Sequence, residues 1–506
     1  MYTFLKSLAT NVIDEPDLDK AIAKTRSLLE KADAVWDIAI ATNLKDKMVT
    51  INGETVIRPE LISEARVSEL VNGEPVSRPI IDLVQQGGGM YGIALAGYSY
   101  IMEKAGIRFY SLGGTSAGGI NAMLLGTLPN SIYGASSPIC PDKQASKSEL
   151  LAHIISNTHF HKFMDRGGIA GWLQRMLMQK MSAYAIKAML IAFMLLMPIG
   201  IYMGFGLLIN DDTAISLPWT RTYDYLIGTL VAVSPLLLAY ILLIRILGKN
   251  FGINSGDLFY DWVKAILSDP FVNITTTAQL EQRLLSMRFT TTTSAPQGEK
   301  ESAKLVLIAS NLTYNRIVKF PERACDYWMP VQDVNPAAYV RATMSIPFVF
   351  ATFIPDYGHV ENNGTPAITK SRFVDGGMLS NFPIREFHNN SITKPRFPTF
   401  GVLLNESPVD LDVLPQAQQQ REDFADVTLL SYIVSFLSTF RNFYDNDFLR
   451  SSEEIKLRVV EVETKGFHWL DFWMSDAAKQ QLFQKGAEAA IRQLYKFEFD
   501  KYLKLR

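Results

Sequence analysis

Hydrophobic and polar positions change their spacing several times along the chain, and each change predicts a different kind of element. Residues 18–41 (LDKAIAKTRSLLEKADAVWDIAIA) carry apolar side chains at helical spacing, and a short hairpin is predicted around Asn52-Gly53. From Pro79 the order becomes strand, glycine loop, helix (93–105), strand (107–112), second glycine loop and helix. Such alternation predicts a parallel α/β sheet.

Two uncharged apolar stretches interrupt this pattern in the middle of the chain. The first spans the 22 residues 188–209 and the second the 19 residues 226–244. A helix needs roughly 20 apolar residues to cross the hydrocarbon layer of a membrane. We therefore expect a two-helix transmembrane hairpin over residues 188–247, with a pair of core helices or an acyl-covering cap as the alternative.

Charges around the two stretches predict an orientation. Basic residues flank the pair, with Arg166, Arg175, Lys180 and Lys187 before it and Arg245 and Lys249 after it. The connecting loop, residues 210–225, holds one arginine against three aspartates. Because basic flanks stay in the cytoplasm, we expect a multi-pass membrane protein with two spans and a cytoplasmic catalytic domain.

Composition excludes several classes of protein. The 49 basic and 51 acidic residues are interspersed, so nucleic acid is not expected as a partner. Two cysteines, Cys140 and Cys325, cannot form a disulfide framework, and the first 20 residues do not resemble a secretory signal. His159 and His161 have no third ligand nearby, so no metal site is predicted. The sequence does not indicate an oligomeric state.

Two glycine clusters carry the chemistry. LVQQGGGMYG (83–92) fits a dinucleotide-binding fingerprint, but no acidic residue stands between Glu103 and Asp142 to hold a ribose. SLGGTSAGG (111–119) instead contains the nucleophile elbow Gly114-x-Ser116-x-Gly118. Acyl transfer explains both clusters, because the first loop can turn backbone N–H groups toward the oxyanion that forms at the serine.

A serine nucleophile needs a base, and two kinds are available. Asp375 ends an apolar strand in RFVDGGMLSNFP, at the sheet edge where sites of α/β folds lie, and partial burial would raise its pKa toward a useful range. His388 and His468 follow in the order of an α/β-hydrolase triad. A Ser-His-Asp esterase using either histidine is therefore an alternative.

Together these segments resemble the patatin-like phospholipase family. The glycine loop, the elbow, AYVRATMSIPFVF (338–350) and FVDGGMLSNFP follow in the family's order. The resemblance implies a three-layer α/β/α sandwich with a mainly parallel sheet, here interrupted by the hairpin. It also implies hydrolysis of lipid acyl esters without metal or other cofactor, with a membrane lipid as substrate and the lipid bilayer as partner.

The family also implies roles for particular residues. Ser116 becomes the nucleophile and Asp375 the base of a Ser–Asp dyad without histidine, with Gly376 and Gly377 completing the D-G-G motif. The oxyanion hole falls on Gly87, Gly88, Gly89, Met90 and Gly92. One position departs from the family, because Tyr91 replaces the usual basic residue. A catalytically degenerate membrane scaffold is therefore a further alternative.

The predicted organisation has five parts. Residues 1–80 form an N-terminal helical arm, 81–187 the first part of the catalytic domain, and 188–247 the hairpin. The second part of the catalytic domain covers 248–405, and 406–506 complete the fold. The substrate's acyl position, headgroup and chain length do not follow from the sequence.

Overall fold

A computed structural model describes most of the chain. The described residues are 15, 17–71, 74–129, 146–165, 167, 171, 248, 250–286, 302–355, 361–362, 365–366, 371–389, 391–392, 394–405, 445, 449 and 453–506. The predicted hairpin over residues 188–247 lies outside the described residues. Within the described ranges, none of the helices combines the length and apolarity needed to cross a bilayer.

The described residues form mixed α/β structure. The strands are β1 (Met48–Ile51), β2 (Glu54–Ile57), β3 (Arg66–Val71), β4 (Glu74–Gln85), β5 (Arg108–Thr115), β6 (Gly252–Asn254), β7 (Leu305–Asn311), β8 (Arg316–Phe320), β9 (Phe348–Phe350), β10 (Glu361–Asn362), β11 (Thr365–Pro366), β12 (Phe373–Asp375), β13 (Thr399–Asn405) and β14 (Val459–Glu463). The α-helices are α1 (Leu18–Ala41), α2 (Gly92–Lys104), α3 (Ala117–Thr127), α4 (Lys147–Asn157), α5 (Asp257–Ser268), α6 (Thr277–Ser286), α7 (Ala337–Thr343), α8 (Glu453–Arg458), α9 (Asp476–Lys496) and α10 (Phe499–Leu505).

One large sheet runs in the order β12-β7-β5-β4-β13-β14, with β3 beside β4 and β8 beside β7. The four central pairings, from β7 to β14, are parallel. The pairings with β3, β8 and β12 are antiparallel. The α/β class and the largely parallel sheet predicted from the alternating elements are therefore confirmed. Buried apolar side chains along β4, β5 and β7 explain why these strands lie inside the sheet.

The N-terminal elements agree with their sequence patterns. Helix α1 begins after Asp17, whose carboxylate accepts hydrogen bonds from the N–H groups of Asp19 and Lys20. Strands β1 and β2 pair as the predicted hairpin, with Asn52 and Gly53 at positive φ in its turn. Strand β4 begins at residue 74, so the predicted domain boundary after residue 80 falls inside a strand.

Two glycines allow helices α2 and α9 to pack backbone against backbone. A Cβ on Gly97 would lie 2.0 Å from the carbonyl oxygen of Phe483, and one on Gly486 would lie 1.8 Å from that of Ala94. Any side chain at either position would push the helices apart. The first glycine loop leads directly into helix α2, so this close packing fixes the helix at the end of that loop.

The chain divides into two compact units. The first contains residues 1–163, 256–346 and 352–506, and it includes the whole large sheet. The second contains residues 164–255 and 347–351, where β6 and β9 pair in parallel. All the residues of the candidate active site described below belong to the first unit.

Candidate active site

Ser116 occupies a sharp turn between strand β5 and helix α3. Its backbone has φ 53° and ψ −122°, which a non-glycine residue rarely adopts, and its side chain is 3% exposed. A Cβ on Gly114 would lie 2.3 Å from the backbone carbon of Gly118, and one on Gly118 would lie 2.2 Å from the Gln85 carbonyl oxygen. Both elbow glycines therefore lie where no side chain fits. The N-terminal end of α3 begins immediately after the serine, which favours negative charge there.

The first glycine loop lies against the serine. A Cβ on Gly87 would lie 3.1 Å from the Cβ of Ser116 and 2.9 Å from the carbonyl oxygen of Thr115. The loop bends at Gly89, which has φ +52°, and then enters a short 3-10 turn that leads into α2. Glycine is required at both places, for close approach at one and for backbone conformation at the other.

Several N–H groups of this loop already have protein acceptors. The N–H of Gly87 donates to the Asn381 carbonyl at 3.0 Å, and that of Met90 donates to the Trp469 carbonyl at 2.8 Å. The N–H of Gly92 donates back to the loop. Of the predicted oxyanion-hole set, Gly88 and Gly89 are the described residues whose N–H groups have no acceptor within the described structure. Within the described structure, Gly88 and Gly89 are therefore the members of the predicted set whose N–H groups are available to a substrate oxygen.

Residues 467–473 (FHWLDFW), which we call the aromatic segment, lie against the glycine loop. The Trp469 carbonyl lies 2.3 Å from where a Gly89 Cβ would stand. Tyr91 is 5% exposed, and its hydroxyl donates to the Phe467 carbonyl at 3.0 Å. Tyr91, which departs from the family pattern, is therefore buried and ties the loop to this segment.

Asp375 ends strand β12, two strands away from Ser116. Strand β7 lies between them, with Thr115 paired to Ile308 and Asp375 paired to the next residue, Ala309. Asp375 is 6% exposed, and its Oδ1 accepts from the N–H of Gly377 at 2.7 Å. A Cβ on Gly376 would lie 2.8 Å from the Thr115 side chain. The D-G-G turn thus packs directly on the residue before the serine.

The end of helix α7 and the two residues after it contact both Ser116 and Asp375. The Ser116 N–H donates to the Thr343 hydroxyl at 2.9 Å, and the Thr343 hydroxyl donates to the Ile308 carbonyl of the intervening strand. The Asp375 N–H donates to the Ser345 carbonyl at 2.8 Å. Between them, Met344 places its sulfur 3.1 Å from the Ser116 hydroxyl, which donates to it. Three consecutive residues therefore hold the two strand ends in register.

The two candidate histidines have other partners. The ring of His388 lies 3.2 Å from Nη2 of Arg458 and 2.7 Å from Nη1 of Arg506. Guanidinium groups only donate, so they occupy the lone pair that a general base would need. His468 lies in the aromatic segment, and its Nδ1 accepts from the Leu470 N–H at 3.3 Å.

No group of three or more metal-ligating side chains occurs among the described residues. His161, one of the two neighbouring histidines, stacks on Trp473 with ring centroids 6.4 Å apart. This contact gives His161 a packing role beside the aromatic segment.

Sequence reasoning missed most of the groups that support the serine and the aspartate. Thr343 and Ser345 are polar residues inside segment 338–350, one of the segments that resemble the family, and this position was the signal that could have marked them. Asn381, which contacts Gly87 through both its backbone and its side chain, stands six positions after Asp375. No local pattern marks the aromatic segment, because its contacts with the glycine loop depend on how distant parts of the chain pack.

Comparisons with known proteins identify the family of this chain. The family model "Patatin-like phospholipase" matches residues 83–388, which contain both glycine clusters and the D-G-G turn. An uncharacterized protein of Bacillus subtilis, YqhO, is 22% identical over 324 residues, covering 64% of this chain and 71% of that protein. The crystal structure of VipD from Legionella pneumophila aligns with 87% of this chain and 71% of its own, at 15% identity and a TM-score of 0.34.

Proposed function

This chain belongs to the patatin-like phospholipase family and is a lipid acyl hydrolase, and from that premise we propose that it cleaves carboxylic esters of glycerolipids with Ser116 and Asp375 as a catalytic dyad. Ser116 is the nucleophile, and Asp375 is the general base that takes its proton. The backbone N–H groups of Gly88 and Gly89 stabilise the oxyanion.

The observation that carries this proposal is the turn of residues 343–345. Thr343 holds the backbone of Ser116, and Ser345 holds the backbone of Asp375. Binding both fixes a serine and a carboxylate at the same edge of the sheet, and such fixed geometry is what a catalytic pair requires.

The reaction follows from these groups. In the reaction the Ser116 hydroxyl gives up its bond to the Met344 sulfur and donates to the Asp375 carboxylate instead. A thioether is a weak acceptor, so this exchange has a small free-energy cost. Oγ then attacks the ester carbonyl while Asp375 accepts the proton, and the proton returns to the departing alcohol. Water attacks the acyl-enzyme in the same way and releases the fatty acid.

Single and double substitutions test the dyad. Ser116→Ala and Asp375→Asn should each remove nearly all turnover of a short-chain ester while the melting temperature stays close to that of the parent. The double variant should be little worse than either single one, because the two groups act as one unit. Undiminished turnover in Ser116→Ala would refute the assignment.

The same assay separates the dyad from its rivals. A dyad enzyme should keep its activity in a variant with both His388→Ala and His468→Ala, whereas a histidine-triad esterase should lose it. A fluorophosphonate probe should label Ser116 in the parent protein. A parent that is neither labelled nor active would be a scaffold.

We also propose, from the sequence of residues 188–247, that a two-helix hairpin anchors the enzyme in a membrane. The dyad residues stand on opposite sides of this segment in the chain, so an even number of crossings is needed for them to meet. In a Cys140- and Cys325-free background, a cysteine at Ser216 should react with an impermeant maleimide added to intact cells. A protein that alkaline washing releases from the membrane would refute the anchor and favour a lipid-covering cap.

A further inference from the structure

A buried carboxylate outside the family match grips the loop that follows the D-G-G turn. Asp445 is 7% exposed, and its Oδ1 accepts from the Ser380 hydroxyl at 2.9 Å. Its Oδ2 accepts from the N–H groups of Asn381 and Phe382, at 2.7 Å and 2.9 Å. One side chain thus satisfies donors from three consecutive residues, which we call the clamp loop (residues 380–382).

The opposite side of the clamp loop is bonded to the two catalytic glycine elements. The Thr115 hydroxyl, one residue before the nucleophile, donates to the Ser380 carbonyl at 3.1 Å. The backbone carbonyl of Asn381 accepts from the N–H of Gly87 at 3.0 Å, and its side-chain Nδ2 donates to the Gly87 carbonyl at 2.9 Å. Both backbone polar groups of Gly87 are therefore held by one residue.

These contacts form a continuous path from Asp445 through the clamp loop to the glycine loop. Asp445 holds the backbone of the clamp loop in position, and Asn381 of that loop holds Gly87. Gly87 directly precedes Gly88 and Gly89, whose N–H groups are assigned to the oxyanion. Thr115 ties the same loop to the elbow. The glycine loop and the elbow are thus both hydrogen-bonded to the clamp loop, and these bonds set the distance between Ser116 and its oxyanion donors.

We propose that Asp445 is a positioning residue of the active site, which acts through Ser380, Asn381 and Phe382 to hold the Gly87–Gly89 loop against Ser116. The inference rests on the proposed catalytic function of that loop. Asp445 lies beyond residues 83–388 of the family match, although all its contacts named here are with residues inside it.

Substitutions of Asp445 with different hydrogen-bonding capacity test this role. Asp445→Ala leaves two backbone N–H groups without their acceptor, so the clamp loop should relax and the oxyanion donors should move away from Ser116. Asp445→Asn should restore function, because the amide oxygen still accepts from both N–H groups and the Ser380 hydroxyl can turn to accept from the amide nitrogen.

The expected result is a loss in kcat at nearly constant KM. A misplacement of about 1 Å lowers turnover by up to about 100-fold, so Asp445→Ala should lose about 10- to 100-fold in kcat on a short-chain p-nitrophenyl ester. Asp445→Asn should retain most of the parent kcat. Rates are normalised to the number of sites that a fluorophosphonate probe labels at saturation, so that a loss of folded protein does not count.

Asp269 provides a matched control for a purely structural role. It is a buried aspartate, 5% exposed, whose Oδ1 accepts from the Phe271 N–H at 2.9 Å after helix α5. Asp269→Ala should lower the melting temperature but leave kcat per labelled site within about twofold of the parent, as expected for a change that does not displace reacting groups.

Each result decides between the alternatives. Asp445→Ala with the parent's kcat per labelled site would overturn the inference, and so would Asp445→Asn as impaired as Asp445→Ala. If Asp445→Ala does not fold, Asn381→Ala replaces it, since it leaves Asp445 in place and removes the Nδ2 bond to Gly87. An unchanged kcat there would also overturn the inference. A parent protein without labelling at Ser116 or turnover would instead refute the proposed function.

Discussion

Replacing Gly87 with alanine should sharply lower turnover in a protein that still folds. The added Cβ would lie 2.4 Å from Oδ1 of Asn381, 2.9 Å from the Thr115 carbonyl oxygen and 3.1 Å from the Ser116 Cβ. Ordinary contacts of a Cβ begin at 3.4 Å, so the glycine loop must move away from the elbow. Two of the three neighbours belong to β5 and its elbow, which the sheet holds in place, and the loop is therefore the part that yields.

The size of the effect follows from that movement. Relieving the closest contact requires a shift of about 1 Å, and a misplacement of this size lowers turnover by about 100-fold. The shift also strains the two hydrogen bonds between Gly87 and Asn381. Hydrogen bonds contribute about 1 kcal/mol each and overpacking costs about 1–3 kcal/mol, so the free energy of unfolding should fall by a few kcal/mol in a protein that still folds.

Gly126→Ala is the matched control, since Gly126 lies inside helix α3. Within the part of the chain that the structure describes, its added Cβ would meet only the Leu112 side chain, at 3.5 Å. Alanine is favoured over glycine in a helix by about 0.5–1 kcal/mol, so this variant should be as stable as the parent or more so. Both variants are assayed for kcat on a short-chain p-nitrophenyl ester and for melting temperature. A Gly87→Ala variant within threefold of the parent kcat would refute the assignment of this loop to the oxyanion hole, a threshold well below the roughly 100-fold expected.

Two further predictions follow from buried polar contacts. Tyr91→Phe removes the hydrogen bond to the Phe467 carbonyl, which is worth about 1 kcal/mol. Because the hydroxyl binds protein, kcat should fall by a similar factor on short and long acyl chains. A loss confined to long chains would mean that Tyr91 contacts substrate. Burial lowers the pKa of His153 to about 4, from an ordinary value of 6.5. The unfolded chain therefore takes up this proton at higher pH, and stability is full above 6.5 and falls as the pH drops toward 4, by up to about 3 kcal/mol. His153→Gln should flatten the dependence of melting temperature on pH in that window, and an unchanged slope would contradict the argument.

Several elements follow from short stretches of sequence because their causes are local. The Asn52-Gly53 hairpin forms because both residues tolerate positive φ, and helix α1 covers residues 18–41, whose apolar spacing predicts it. The alternation of strand, glycine loop and helix predicts the parallel core of the sheet. One local prediction is too short, since the strand expected over residues 107–112 continues to Thr115. Its glycines pair with both β4 and β7, and that pairing extends the strand.

The sequence alone determined the types of reactive groups and the loops that carry them. Ser116 between its two glycines, the first glycine loop and the D-G-G turn are each marked by a pattern only a few residues long, so the sequence shows them directly. The atoms that leave no room for a side chain at Gly87, Gly118 and Gly376 come from distant parts of the chain. The apolar stretches of residues 188–247 likewise predict a hairpin from composition alone. These residues lie outside the described structure, so the hairpin stays a prediction.

Only the tertiary structure decided what supports those groups. Thr343 and Ser345 reach Ser116 and Asp375 because β7 lies between β5 and β12 in one register. Arg458 and Arg506 contact the ring nitrogens of His388. Asp445 accepts hydrogen bonds from a loop more than sixty positions earlier in the chain. Sheet order and register bring these residues together across long separations, and hydrogen bonds act only over about 3 Å. No periodicity or motif encodes such a meeting, because the contact exists only once the whole sheet has formed.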